Sequence, residues 1–404
     1  MDFLEQLNPE VPPPTAEERA SAAAAAEAAK PTRRAEPLPA AEATLVESWR
    51  RRAEDKAEES SSPAVLVVGP ASPEALDAIF TFSWGDGHVE RRERLVRCIR
   101  GVADGVGDRA LALGGRLSDE ETLEAIAIAH TPEFVRAFSR LQRGEALEEP
   151  TPLRSLASAD GGCRWESVAP AIAAACASSL GGALALVDAL VGPRRGGGGG
   201  ARAALCVGRP AGHHSAPGSS GTFCGPNTVM IAARHARRRL AVARVAVVDV
   251  DIHYSGGHQA ALAEAPDEGI ALFDLWMALG PRDAPIFFPG ARAAADLGAG
   301  AGDAGPVSRS LRLPDAVTHE RFVDTWAAAV APALASFRPA LVVLSLGLDG
   351  AEGESEGARL APETYAFVAR QIAGLGVPQL AVLEGGYNLD VLQACVGAYA
   401  GALT

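Results

Sequence analysis

Four short apolar runs, at residues 203–207, 245–250, 340–346 and 379–383, constrain most tightly what this chain can fold into. Each is rich in Val, Leu or Ala and holds at most one charged residue. Stretches of helical spacing, near 227–240, 322–337 and 363–375, separate them. Short continuous apolar runs of this kind read as strands buried on both faces. Their alternation with helices predicts a mostly parallel sheet covered on both sides.

Each run leads into a polar cluster. Gly208-Arg209-Pro210-Ala211-Gly212-His213-His214 comes after the first, and Asp249, Asp251 and His253 mark the end of the second. Gly347-Leu348-Asp349 comes after the third, and Glu384-Gly385-Gly386-Tyr387-Asn388 after the fourth. Residues at i, i+2 and i+4 of a strand share a face, so Asp249, Asp251 and His253 emerge together. In a parallel sheet the carboxyl ends lie on one rim, where ligands of open α/β sheets bind.

The residue types then suggest chemistry. Asp251, His253 and Asp349 form a three-ligand set of oxygen and nitrogen donors, suited to a divalent metal such as zinc with a position left open. His213 and His214 are the proton-transfer candidates. Tyr387, in a glycine turn, has a phenol that can donate to a developing oxyanion. Together they suit hydrolysis of an amide by a metal-activated water. Each motif alone has a plainer explanation: a solvated strand end, an ordinary histidine pair, a helix-capping aspartate, a tight turn. Packing explains their joint occurrence at four strand ends far less well.

Composition narrows the class. The 404 residues, 48% of them apolar, suffice for one large α/β domain. A net charge of −13 argues against a general nucleic-acid binder and weakly favours a cationic substrate. The six cysteines are scattered with no C-x-x-C pair, as suits a reducing compartment. No apolar run is expected to cross a membrane, and the early acidic residues Asp2 and Glu5 do not suit a secretory signal. The expectation is an intracellular protein of the cytoplasm or nucleus, with no membrane and no nucleic-acid partner. Residues 1–62, rich in Ala, Glu, Pro and Arg, read as a disordered or loosely docked tail, and 63–404 as the catalytic domain. Within the latter, 64–68 reads as a strand, 93–106 as a helix, 120–141 as helically spaced, 143–166 as a loop, 169–190 as an Ala-rich buried helix and 270–273 as a short strand.

These motifs resemble the histone deacetylase family, in particular its class II and bacterial deacetylase-like branch. Arg209-Pro210-Ala211-Gly212-His213-His214 resembles R-P-P-G-H-H, and the stretch from Gly221 to Asn227, with Phe223-Cys224, resembles G-F-C-x-x-N with one residue added. Val248-Asp249-Val250-Asp251-Ile252-His253 resembles V-D-x-D-V-H, Phe288-Pro289-Gly290 an aromatic-P-G element, and Gly347-Leu348-Asp349 G-F-D. The stretch from Leu383 to Leu389 resembles L-E-G-G-Y-N-L, and that from Gly87 to Leu95 resembles G-H-P-E-R-P-E-R-L without its prolines.

The resemblance implies the arginase/deacetylase fold, a three-layer α/β/α sandwich around a mostly parallel sheet. It implies one zinc ion per chain on Asp251, His253 and Asp349, with His214 as general base and then acid. His213 would be its electrostatic partner, held by Asp249, and Tyr387 would polarise the acetyl carbonyl. Phe223 and Phe288 would wall a tunnel for an acetylated amine chain, and groups near Asp249, Asp251 and His253 would also suit a potassium ion. The expected partner is an acetylated protein or an acetylated polyamine.

Departures from the pattern qualify this reading. Gly256 stands where the family carries an Asn or Asp that orients the second histidine, leaving Ser255, His258 or water to substitute. The rim aspartate that anchors substrate has only Asp160 and Glu166 as weak counterparts. Ser255 replaces the last acid of the D-x-H-x-D that holds two manganese ions in arginase-type ureohydrolases, which argues for one metal. Glu356 lies where polyamine-type members carry a gatekeeping glutamate; the plainer reading is a solvated loop acid. An alternative to the enzyme is a weakly active metal-binding member that serves as an interaction module.

Overall fold

The computed structural model describes residues 66–70, 90–112, 115–147, 151–153, 165–192, 202–277 and 308–403, with isolated positions 44, 47, 48, 75 and 78. The rest of the 1–62 tail, the segment 87–89, Asp160, the glycine run at 196–200 and the Phe288-Pro289-Gly290 element lie outside the described residues, as does the Glu166 side chain.

Among the described residues, eight strands form one sheet: β1 (Leu66–Gly69), β2 (Ala110–Ala112), β3 (Ala203–Cys206), β4 (Val245–Asp249), β5 (Ile270–Met277), β6 (Arg309–Leu313), β7 (Leu341–Leu346) and β8 (Gln379–Leu383). Their order is β2-β1-β3-β8-β7-β4-β5-β6, and every pairing is parallel. The four strands whose ends carry the polar motifs, β3, β8, β7 and β4, are therefore consecutive neighbours. This adjacency converts four distant stretches of sequence into one rim.

Every residue of β3, β4, β5, β7 and β8 is buried. Alternate side chains of a strand point to opposite faces, so complete burial means that both faces are covered. Among the described residues, ten α-helices supply the cover: α1 (Glu93–Val106), α2 (Asp119–Ile126), α3 (Pro132–Gln142), α4 (Trp165–Val191), α5 (Thr228–Arg239), α6 (Gly256–Glu264), α7 (His319–Thr325), α8 (Ala331–Phe337), α9 (Pro362–Ala373) and α10 (Leu389–Gly401). α4 packs on β1, β3 and β8, α5 on β4 and β7, while α1, α9 and α10 pack together.

Several elements differ from the sequence reading. The helical spacing over 120–141 belongs to two helices, α2 and α3, because Thr131 caps a new start with Pro132 in its first turn. A Ser118–Glu121 capping box begins α2. The strand expected at 270–273 runs on to Met277, carrying Asp274 buried within it. β2 and β6, at the two edges of the sheet, were not expected: one is three residues long and the other alternates Arg and Ser with Leu. The helix expected at 322–337 begins at His319 and passes through a π-type turn at Trp326–Val330 before α8.

The expectation that no apolar run reaches membrane length is corrected by α4. Its segment Ala169–Val191 is long and apolar enough to cross a membrane. Ile172, Leu180, Leu186 and Val187 of that segment are buried in the core. Its apolar length is that of a helix enclosed by protein. A Cβ at Gly181 would lie 2.6 Å from the Gly115 carbonyl oxygen and one at Gly182 2.8 Å from Pro70, which explains the glycine pair by close approach.

Candidate active site

The rim gathers Asp251, His253 and Asp349 into one cluster, with one ligand atom of each within 4.8 Å of the others. His253 Nδ1 lies 3.0 Å from Asp251 Oδ1 and 2.8 Å from Asp349 Oδ2. The carboxylates are aimed by the backbone: Gly385 N–H donates to Asp251 Oδ2 at 3.0 Å, and Ile252 N–H to Asp349 Oδ1 at 3.1 Å. Two glycines make room, since a Cβ at Gly347 would lie 2.2 Å from Asp251 Oδ2 and one at Gly385 2.2 Å from Asp349 Oδ2. Burial and the Asp251 charge push the Asp349 carboxyl up to about 6, with His253 opposing. Two buried carboxylates converging on one imidazole call for positive charge at their centre, which a divalent cation supplies.

Beside this cluster the rings of His213 and His214 lie with centroids 3.9 Å apart, tilted 36° to each other, and the His214 ring meets that of His253 edge-on at 5.9 Å. His213 Nδ1 lies 3.2 Å from Asp249 Oδ2, and its Nε2 lies 3.7 Å from Asp251 Oδ1. The two histidines differ electrostatically. Burial lowers the affinity of His213 for a proton, but Asp251 and then Asp249 outweigh it and raise the group to about 10. Burial, then the neighbouring His213 and His253, hold His214 well below the usual imidazole range. A cationic His213 thus stands against a neutral His214 that can accept a proton.

Asp249 does not join the metal cluster. Its Oδ2 faces His213 and also His258, whose Nε2 is 3.3 Å away, and its Oδ1 accepts the Asp251 N–H at 2.9 Å. His258, at the start of α6, is therefore directed to the partner of His213. Ser255 is fully buried just before that helix, and Gly256 opens it.

Tyr387 is partly buried next to Phe223, with ring centroids 6.0 Å apart and edge to face. Burial and the Asp349 charge raise the phenol well above its usual range, with Arg94 pulling the other way, so it stays protonated and able to donate. Gly386, at φ +112°, makes the turn that presents it. Glu356 Oε2 lies 3.8 Å from His253 Nε2, which places this loop acid at the cluster.

Four acidic or basic groups absent from the predicted set lie beneath the site. Arg94 is almost fully buried, its guanidinium carbon 4.9 Å from the centre of the Tyr387 ring, and it donates to the carbonyls of Glu384 and Gly386. Glu90 bridges Arg94 and Arg209. One carboxylate between two buried guanidiniums is tolerable because main-chain carbonyls take the remaining donors. Glu384 Oε2 accepts the N–H groups of Gly212 (2.6 Å) and His213 (3.2 Å), tying the end of β8 to the histidine loop. All four stand in the motifs quoted above without a role there; their burial was the missing signal. Asp274, paired in register with Asp249, is pushed up to about 8 by burial and by that neighbour.

Fold and rim together define a parallel α/β domain with a candidate metal centre at the carboxyl ends of its strands. The chain belongs to the histone deacetylase family, whose Histone deacetylase domain matches residues 88–403. It is 28% identical over 321 residues to Polyamine deacetylase HDAC10 of Mus musculus, covering 78% of this chain and 45% of that protein. It is 32% identical over 209 residues to Histone deacetylase clr3 of Schizosaccharomyces pombe, covering 50% of this chain and 29% of that one. Each match thus spans less than half of the relative's length. The crystal structure of the HDA15 HD domain shares the fold, with a TM-score of 0.64 at 22% identity, covering 85% of this chain and 90% of that chain.

Proposed function

We propose that this protein is a zinc-dependent deacetylase that hydrolyses an acetamide on acetyl-lysine or a related acetylated amine, releasing acetate and the free amine. The observation that carries the reading is the convergence of Asp251, His253 and Asp349 beside a close histidine pair and a phenol. The donor set of one imidazole and two carboxylates, aimed by backbone N–H groups and given room by Gly347 and Gly385, fits zinc. Zinc bound there would supply Lewis acidity to the carbonyl and to a water.

The chain's own residues do the rest. His214, neutral and half-buried, takes the proton from the attacking water and returns it to the leaving nitrogen. His213, paired with Asp249, offsets negative charge as the tetrahedral state develops. Tyr387 donates its hydroxyl to the oxyanion, and Phe223 lines the approach. We assign this activity to a domain over residues 63–404, preceded by a tail at 1–62, and expect it inside the cell. Buried carboxylates at Asp249 and Asp274 favour a potassium ion nearby. Deacetylation restored to metal-stripped protein by zinc tests the reading.

A second reading, an acetylated polyamine as substrate, is favoured by Glu356. Its carboxylate stands 3.8 Å from the His253 ring nitrogen, where it would attract a cationic chain more than a neutral peptide.

A further inference from the structure

The peptide unit between Gly386 and Tyr387 is held at both poles. Its carbonyl oxygen accepts from the Arg94 guanidinium, and its N–H donates to Glu354 Oε1 at 2.8 Å. The same Glu354 oxygen accepts the Asn388 N–H at 2.8 Å, and the Asn388 side chain returns a bond of 3.0 Å to the Gly353 carbonyl. Glu354 belongs to the loop that follows Asp349. A carboxylate that accepts two successive N–H groups forms stronger bonds than a neutral acceptor. The hold matters because Gly386, at φ +112°, lies in a region where glycine moves freely. Without that hold, a turn of this plane about Gly386 carries the Tyr387 side chain with it.

We infer that Glu354 is a positioning residue for the Tyr387 hydroxyl. Arg94 fixes one end of the plane and Glu354 the other, so the phenol projects in one direction only. Glu354 touches no reacting atom. It acts through the turn, and it shares its loop with Asp349 and Glu356, which ties the cluster and the phenol to one loop. The consequence for turnover rests on the deacetylase reading above; the hold on the turn does not.

The test uses the full chain, with Glu354→Ala and Glu354→Gln made alone and on Tyr387→Phe. Two quantities are read: steady-state turnover of an acetyl-lysine peptide, and hydrogen–deuterium exchange of the segment 384–389. In Glu354→Ala, exchange at residues 387 and 388 should rise about 10–100-fold, the loss expected for a charged hydrogen bond. kcat should fall about 10-fold or more while KM stays within about twofold, because a misdirected donor weakens the transition state rather than binding. Glu354→Gln should recover most of both, since its amide oxygen accepts the same N–H groups without the charge. On Tyr387→Phe, Glu354→Ala should cost less than about twofold more, because both changes act through one hydroxyl. If Glu354→Ala does not fold, Glu354→Asp, one methylene shorter, replaces it with the same expected direction. Unchanged exchange overturns the inference. So does an equal loss of kcat with and without the Tyr387 hydroxyl, which marks a merely structural role. A native chain that turns over no acetylated amine sinks the deacetylase reading, and exchange alone then decides whether Glu354 holds the turn.

Discussion

His258 Nε2 stands 3.3 Å from Asp249 Oδ2, the same carboxylate oxygen that His213 Nδ1 faces at 3.2 Å. On its other side His258 Nδ1 receives the Asn227 side-chain N–H at 3.0 Å, which leaves the ring hydrogen on Nε2, pointing to Asp249. Burial keeps His258 from protonating readily, so a neutral ring faces Asp249. Asn227, His258, Asp249 and His213 thus form one buried chain of polar groups behind the rim.

Removing His258 should cost catalysis more than binding. His258→Ala takes away the ring that faces Asp249 behind His213 and is expected to lower kcat about 10-fold, the scale seen for groups that orient site residues from behind. KM and zinc content should hold. Steady-state kinetics with metal analysis checks this, and an unchanged kcat in a folded, zinc-loaded variant contradicts it.

Glu356 should set the substrate. Glu356→Leu removes the acid beside His253 and is expected to shift the ratio of acetylpolyamine to acetyl-lysine peptide turnover about 10-fold or more toward the peptide. Parallel assays of both substrates read this directly. A ratio left unchanged by the substitution returns Glu356 to an ordinary loop acid.

His130 should make stability depend on pH. Its Nδ1 faces the Pro217 carbonyl at 3.3 Å and its Nε2 accepts the Asn227 N–H at 2.9 Å, an arrangement that needs the neutral ring. Burial lowers the group from 6.5 to about 4. The unfolded chain therefore binds the proton first as pH falls, and stability present above 6.5 is lost progressively down to about 4. Between about pH 7.5 and 5 the loss from this group is on the order of 2 kcal/mol. Denaturant unfolding of native protein and His130→Gln at both pH values measures it. The variant should show a shallower pH dependence, and equal slopes count against the assignment.

Much of the site was legible in the sequence because strand ends announce themselves. Val245–Asp249 and Leu341–Leu346 are strongly apolar, and the polar letters after them fall at the rim by topology alone. Less legible was anything that needed burial to be known. Glu90, Arg94 and Arg209 look like surface charges in a linear chain, yet they are buried and support the Tyr387 turn. Asp274 interrupts an apolar run and so ended the predicted strand early; inside the sheet it is one buried acid among eight buried residues. The edge strand Arg309–Leu313 lacked the apolar density of a central strand because most of it is only partly covered. Glu354 gave no signal in an acidic loop; only its bonds to two amides distinguish it from Glu352.

The most direct test of the central claim is turnover of an acetyl-lysine peptide by metal-stripped protein before and after one equivalent of zinc, beside Tyr387→Phe. The account predicts no turnover without metal, recovery with zinc, and a loss of about 100-fold or more when the phenol is removed from zinc-loaded protein. Full zinc occupancy without turnover, on this peptide and on acetylated polyamines alike, would contradict it.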